Sequence, residues 1–258
     1  MAASSMYTGL SGLQAANTDL ATTSHNIANA GTTGFKNGRT EFGDLVDSNA
    51  TLGGGLGVKT QAVNQQFNQG GIMTTSNVLD LAITGNGFFE VRVPGAATST
   101  YTRAGSFHLD AAGNVVNNIG QQLYSNGAAV TITATSTPPH ISSIIIDKDG
   151  TITAKDAVGG VATITGSPLN LATFPNPQGL KAISDTQWEA TPESGTVAFA
   201  APGTGGNGNL MSGALETSNV DLTEQLVNMI LAQRNFQANS KTITVNNTLT
   251  ETITQIIR

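Results

Sequence analysis

A four-then-three rhythm runs through both ends of the chain. Near the C-terminus it picks out Leu222, Leu226, Met229, Gln233, Phe236, Ser240 and Ile243; near the N-terminus, Met6, Leu10, Leu13, Asn17, Leu20, Ser24 and Ile27. A mean spacing of 3.5 residues is that of a helical seam, and each seam is interrupted by polar residues at its fourth and sixth positions. Burying one Leu-sized side chain is worth roughly 1.5–3 kcal/mol, and an isolated helix is marginal in water. The two stripes are therefore expected to cover each other. A chain that enters along one helix and leaves along the other makes that pair antiparallel.

The pattern predicts a first helix over residues 4–29, about 39 Å long, ended by Gly31 and Gly34. Phe35 and Phe42 return the chain to an apolar surface, with Lys36 and Arg39 expected to be exposed between them. The second helix is expected to start near residue 219. Ser218 with Asp221, and Asp221 with Glu224, both have capping-box spacing. It is predicted to run to Ile257, roughly 57 Å. Its rhythm slips near Asn246 and resumes at Leu249, Ile253 and Ile256, a phase shift within one helix.

Between the helices the period changes to short strands. Asp47 to Gly57, with Gly53-Gly54-Gly55, marks a boundary. Val58–Phe67 alternates loosely. Leu79, Leu81 and Ile83, then Phe88-Phe89, bracket Thr84-Gly85-Asn86-Gly87, which predicts a hairpin. Tyr101–Phe107, Val115-Val116, Val130–Thr133, Ile141–Ile146, Thr151–Thr153 and Val161–Ile164 follow, with turns at Asp110–Asn114 and Asp149-Gly150. Pro138-Pro139 and Pro175-Asn176-Pro177 interrupt the run, and Trp188 is read as a core or interface anchor. The predicted fold is α+β: N- and C-terminal helices paired as an antiparallel coiled coil, with an all-β antiparallel middle. The expected domains are 1–35 plus 216–258, helical; 36–75 plus 205–215, connecting; and 76–204, β-rich.

Composition sharpens this picture. Of 258 residues, 11% are charged, less than half the usual share, and Thr, Asn, Ser, Gln, Gly and Ala take their place. The first helix carries one charged residue, Asp19, whereas a solvent-facing helix normally carries many Lys/Glu pairs. Its outer face is expected to meet other subunits. Net charge is −6 with no basic cluster, which argues against nucleic acid. There is no cysteine, which excludes disulfides, thiolate metal sites and Cys nucleophiles. No run of about 18 apolar residues and no Sec-type leader is present.

Candidate chemistry is sparse. His25, His108 and His140 lie far apart without metal-ligand spacing. Gly203-Thr204-Gly205-Gly206-Asn207-Gly208 has the GxGxxG form, but no helix opens at its last glycine. Asp147-Lys148-Asp149-Gly150 lacks the glycine position and closing Glu of a calcium loop and reads as a turn. No catalytic, cofactor or metal site is expected, and no enzyme.

Five stretches, grouped into three signatures, resemble bacterial flagellar rod and hook proteins. His25-Asn26-Ile27-Ala28-Asn29-Ala30-Gly31-Thr32-Thr33-Gly34-Phe35-Lys36 is similar to the family's N-terminal signature, with His25 where asparagine is usual. Leu79–Phe89 and Tyr101–Phe107 resemble the central signature. Glu216–Leu222 and Gln233–Asn239 resemble the C-terminal one. The resemblance implies a homopolymer with an inner helical layer, outer β domains and a central export channel. It implies type III export without a cleaved signal, rod, hook and junction proteins as partners, and a flagellar location in the periplasmic rod or extracellular hook. It implies no small-molecule substrate. Met6, Leu10, Leu13, Leu20, Ile27, Leu222, Leu226, Met229, Phe236, Ile243, Leu249 and Ile253 are the expected coiled-coil and assembly residues.

Within the family, length favours a distal-rod-type subunit. The Gln233–Asn239 run and the short Asp44–Gly57 loop favour a compact hook protein, and the sequence reading takes the hook over a distal or proximal rod protein. A rival of another class is a secreted, β-rich, adhesin-like binding module. Proteolysis separates the two, since an assembly subunit is expected to lose both ends in dilute solution, near Phe35 and Glu216.

Overall fold

The structure is a computed structural model that describes residues 2–46, 55–96, 98–134, 141–156 and 159–256. Asp47–Gly54 of the glycine loop, Pro138-Pro139, His140 and the expected helix end at Ile257 lie outside the described residues. Two compact units form. The helical unit comprises Met1–Ala30, Asn37–Gln66 and Val220–Arg258; the β unit comprises Gly31–Lys36 and Phe67–Asn219.

In the helical unit, α1 spans Ala2–Ala28 and α2 spans Leu222–Ile256. The second of the two predicted caps starts α2. The Asp221 carboxylate accepts the Thr223 N–H at 2.8 Å and the Glu224 N–H at 3.3 Å, satisfying two orphan donors. Ser218 is buried outside the helix. The helix runs unbroken through Asn246. Strands β1 (Gly38–Val46) and β2 (Gly55–Gln65) form an antiparallel hairpin with register shifts at Glu41/Phe42 and Leu45/Val46.

Among the described residues every strand pairing of the β unit is antiparallel. Its largest sheet runs Lys181–Ala182, Gln187–Glu189, Thr100–Thr102, Phe89–Arg92, Gln122–Ser125, Val115–Asn117 and Phe107–Leu109, with Ala128–Ala129 added beside Gln122–Ser125. Shorter ladders pair Leu81–Thr84 with Asn209–Ser212 and Ile72–Thr74 with Ala214–Glu216, so the outgoing chain closes against the incoming one. The core gathers Leu81, Ile83, Phe89, Val91, Phe107, Leu123, Ile132 and Leu171. A second cluster stacks Phe67, Phe88, Phe174 and Trp188 edge to face, at centroid separations of 5.4–5.9 Å. Trp188 is thus a core anchor.

One turn recurs. At Asp110–Asn114, Asn117–Gln121 and Asp147–Thr151, the first N–H bonds the fifth carbonyl and the glycine N–H bonds the first carbonyl. The glycines sit at φ +84, +85 and +80, the left-handed position this three-residue hairpin demands. Asp147–Gly150 is therefore a turn, as its sequence predicts.

Several expectations are corrected. Thr84–Gly87 joins no hairpin: Leu81–Thr84 pairs with Asn209–Ser212, while Phe89–Arg92 pairs with Thr100–Thr102 and Gln122–Ser125. The tight hairpin turn needs positive φ at both central residues. Here it falls on Gly85 (+112) and Gly87 (+134) and not on Asn86, so the chain passes between ladders. The Asn-Gly hairpin is at Asn126-Gly127 instead (φ +48 and +78). Lys36 is not exposed but 1% accessible, while Phe42 is 42% exposed. Phe35 and Glu216 are also buried within the β unit, so proteolytic trimming is expected at its flanks instead, beside Ala30 and Val220.

Gly34 shows how tightly the β unit closes. Its φ is +71, and a Cβ there would lie 2.6 Å from the Ala104 nitrogen and 2.8 Å from the Arg103 carbonyl carbon, both backbone atoms. Gly34→Ala is expected to destabilise the β unit by roughly 1–3 kcal/mol, read as a lower denaturant midpoint of Trp188 fluorescence at an unchanged slope.

Candidate functional site

Two places concentrate the residues of the three signature stretches, one in each unit. In the helical unit, Asn26 is a hub. Its Nδ2 donates to the Gly38 carbonyl at 2.8 Å, its Oδ1 accepts the Gly38 N–H at 2.8 Å, and Nδ2 also donates to Gln225 Oε1 at 3.1 Å. One amide thus imitates a strand partner for β1 and ties it to α2. Burial makes this effective, since no water competes with a satisfied network.

The helices are antiparallel: Asn26 meets Gln225, Gly12 meets Asn239, and Gly9 meets Ile243. The contact line, however, is made mostly by small and amide side chains, with Ile243 a large apolar residue on it. A Cβ on Gly12 would sit 2.6 Å from Asn239 Nδ2, and one on Gly9 3.0 Å from Ile243 Cγ1. Continuing at three-four spacing, Ala16, Thr23 and Asn26 are buried on α1. On α2 the matching row is Gln225, Ala232, Asn239 and Asn246, every seventh residue. Small side chains let the helix axes approach closely, and that proximity decides the seam. A second face of α1 meets the hairpin: Ser11 Oγ accepts the Val58 N–H at 3.2 Å, and Thr22 lies against Gly38.

Ile243 apart, the stripes expected to face each other therefore lie beside the seam. Met6, Leu10, Leu222, Leu226, Phe236, Leu249 and Ile253 are exposed; Leu10 is 47% accessible and Leu226 52%. Leu13, Leu20, Ile27, Met229 and Ile243 are half-covered. Val227, Ile230, Leu231 and Val245 are also exposed, so α2 presents apolar side chains on several faces. Uncovered apolar side chains spread around a helix mark a surface for interaction. The signal for the true seam was present as Gly9, Gly12 and Ala16, but small residues carry little weight when a stripe is chosen by hydrophobicity.

In the β unit an ion cluster is sealed from solvent. Lys36 Nζ lies 2.6 Å from Glu216 Oε1 and donates to the Asn68 carbonyl at 2.8 Å. The Gly70 N–H donates to the same Oε1 at 2.9 Å. Arg103 Nη1 donates to Oε2 at 3.3 Å, its guanidinium 5.1 Å from the Phe88 ring centre. Both side chains of the Lys36–Glu216 pair are 0% accessible. Desolvation pulls the Lys36 ammonium and the Arg103 guanidinium below their ordinary values, with Glu216 opposing. Two cations share one carboxylate, so Glu216 is the member that cannot be spared. Sequence patterning gave no sign of this cluster, because its three members come from separate stretches. Among the described residues no group of His, Cys, Asp or Glu could hold a metal. His25 and His108 are exposed on separate units.

Glu216→Gln leaves two buried cations without a counter-charge and is expected to cost at least about 3–5 kcal/mol. Lys36→Met removes the excess cation and is expected to cost clearly less. Denaturation midpoints of the two variants, followed by Trp188 fluorescence, test that order. In α1, burial pushes the Asp19 carboxyl up, with the nearby Thr40 hydroxyl opposing the shift. A raised folded value means stability that is full below the unfolded 3.8 and is lost as pH climbs through the folded value. Asp19→Asn is thus expected to raise the melting temperature of the helical signal at neutral pH, with no advantage below pH 3.8.

Known proteins show the same three-part layout. Residues 6–36 match the family described as flagella basal body rod protein. Residues 82–154 match the flagellar hook protein FlgE/F/G D1 domain, and residues 211–256 the flagellar basal body rod FlgEFG protein C-terminal region. The chain is 37% identical to the flagellar basal-body rod protein FlgG of Bacillus subtilis (strain 168), over 98% of this chain and 99% of that one. It is 33% identical to FlgG of Borreliella burgdorferi, over 92% of each. It is 26% identical to the flagellar hook protein FlgE of Salmonella typhimurium, over 96% of this chain and 98% of that one. Lys36 closes the first matched segment, Arg103 lies within the second and Glu216 within the third, and by this end-to-end likeness the chain belongs to the flagellar rod and hook protein family, FlgE/F/G.

Proposed function

We propose that this chain is a structural subunit of the flagellar rod that polymerises with copies of itself into a straight tube around an export channel. The observation that carries the proposal is the uncovered apolar surface of both terminal helices, in a family whose members are named for rod and hook. α1 carries one charged residue, Asp19, and α2 carries Glu224, Arg234, Lys241 and Glu251, so neighbours packing on these faces have few ions to bury. Export by the flagellar type III route, and contact with other rod, hook and junction proteins, belong to the same proposal.

Rod is preferred to hook on the alignment lengths. The Bacillus subtilis rod relative aligns end to end over 270 positions, whereas the hook relative needs 400 to cover a similar share. The hook remains a second reading, favoured by the run Gln233-Arg234-Asn235-Phe236-Gln237-Ala238-Asn239. In that case the β units would slide over one another as the polymer bends, and weakly charged Thr/Asn/Gln surfaces suit such water-exchangeable contacts.

Purified chain is expected to form straight tubes in electron micrographs; curved ones would favour the hook. Replacing Leu226 and Phe236 together by Asp is expected to raise the critical concentration at least about 100-fold. Trp188 fluorescence, reporting on the β unit, is expected to stay native. Tubes of normal length from this variant would defeat the proposal.

A further inference from the structure

The ion cluster sealed inside the β unit does not balance. Lys36 and Arg103 bring two positive charges and Glu216 one negative, so a surplus cation is held away from bulk water. Lys36 has the stronger hold on the carboxylate, at 2.6 Å, and the Asn68 carbonyl as a second acceptor. Arg103 has the weaker hold, through Nη1 at 3.3 Å. A guanidinium carries five N–H donors. The Arg103 Nε is buried with no hydrogen-bond partner among the described residues. The Phe88 ring, 5.1 Å from the guanidinium carbon, offsets only part of what is missing.

Arg103 also lines a cavity of about 500 Å³, within the roughly 300–1,000 Å³ range of small-molecule sites. Phe67, Phe88, Phe174, Pro175 and Pro177 give the wall flat, stiff apolar surfaces. The rings are held from behind: Phe67 and Phe88 stack edge to face on buried Trp188, and Phe174 stacks on Phe88 and Tyr101. A wall fixed before a guest arrives loses little freedom on binding. An apolar cavity beside an under-compensated cation selects by charge. A neutral guest gains apolar contact alone, an anion also supplies counter-charge to Arg103, and a cation is repelled.

We propose that this cavity binds a small carboxylate with a flat apolar body, the carboxylate on the Arg103 guanidinium and the body against the phenylalanine rings. The planar fork of a guanidinium matches a carboxylate. Lys36 and Glu216 are not part of the cavity wall. Lys36 therefore acts from a distance: by occupying Glu216 it leaves Arg103 short of counter-charge and able to take an outside anion. Every lining residue belongs to the β unit, so the site does not depend on how the terminal helices assemble.

Calorimetric titration of the full-length chain with 2-naphthoate, and with 2-naphthamide as a neutral analogue of the same shape, tests the proposal. The acid is expected to bind at least about tenfold more tightly than the amide. Arg103→Gln is expected to remove that preference and leave the affinity for the amide as it was. Lys36→Met frees Glu216 for Arg103 and is expected to weaken the acid alone. Ala198→Phe, at an exposed position on the cavity wall, is expected to weaken both guests together. Native Trp188 fluorescence of each variant without ligand checks that the β unit is folded. If Arg103→Gln does not fold, the wild-type comparison and Ala198→Phe decide the matter. No binding of the acid at about 1 mM, equal affinities for acid and amide, a preference that survives Arg103→Gln, or unchanged binding by Ala198→Phe would each overturn the site.

Discussion

One buried carboxylate holds the β unit closed. Glu216 receives Lys36, Arg103 and the Gly70 N–H, and its own carbonyl accepts the Gly34 N–H at 2.8 Å. The segments it joins are 180 and 113 residues away along the chain. Coulomb attraction in a sealed site is strong, but so is the cost of stripping water from three ions. The lowered values of both cations show that desolvation is the larger effect on them. The cluster's worth is therefore specificity more than stability. With Lys36 charged and buried, only a closure that brings Glu216 to it avoids a large penalty, so the incoming and outgoing passages of the chain have one acceptable pairing. The ladder of Ile72–Thr74 with Ala214–Glu216 is the backbone expression of that pairing.

The helical unit solves a different problem by the opposite means. Its seam contains glycine, alanine, threonine and amides, with Ile243 against Gly9, and among the described residues no buried ion pair. Close approach replaces side-chain volume, and the Asn26 amide supplies direction. The consequence is that large apolar residues are left for other partners. Had the leucines been used in the seam, the pair would have finished its own surface and left nothing for a neighbour. The small-residue seam and the uncovered stripes are thus two sides of one choice.

What could be seen in the sequence follows the range of the forces involved. The two helices, the Asp221 cap, the Asp110–Asn114 and Asp147–Thr151 turns and the antiparallel middle depend on residues a few positions apart, and all were legible. The burial of Lys36 was not, because a lysine reads as exposed until its partner is known, and Glu216 is remote. The Asn86-Gly87 hairpin failed for a related reason. Asn-Gly permits a tight turn but does not oblige the flanking strands to pair, and Leu81–Thr84 has a better partner in Asn209–Ser212. The spacing of the stripes was legible while their partner was not, since a period says that a face is covered and is silent on what covers it.

The polar breaks in those stripes bear on how such a surface can exist before assembly. An unbroken leucine stripe in a chain with 11% charge would associate in any alignment, because hydrophobic contact is non-directional. Asn17, Ser24, Gln233 and Ser240 interrupt the two stripes, and a pairing that sets one of them against leucine leaves an amide or hydroxyl facing a methyl group. The same residues cost little where they meet one another. A weakly charged subunit cannot rely on repulsion to stay apart from its copies, so discrimination has to be written into the stripe itself. In the polymer proposed above, interruption of the apolar rhythm, which looks at first like a defect in a helical seam, disfavours unspecific association of the subunits.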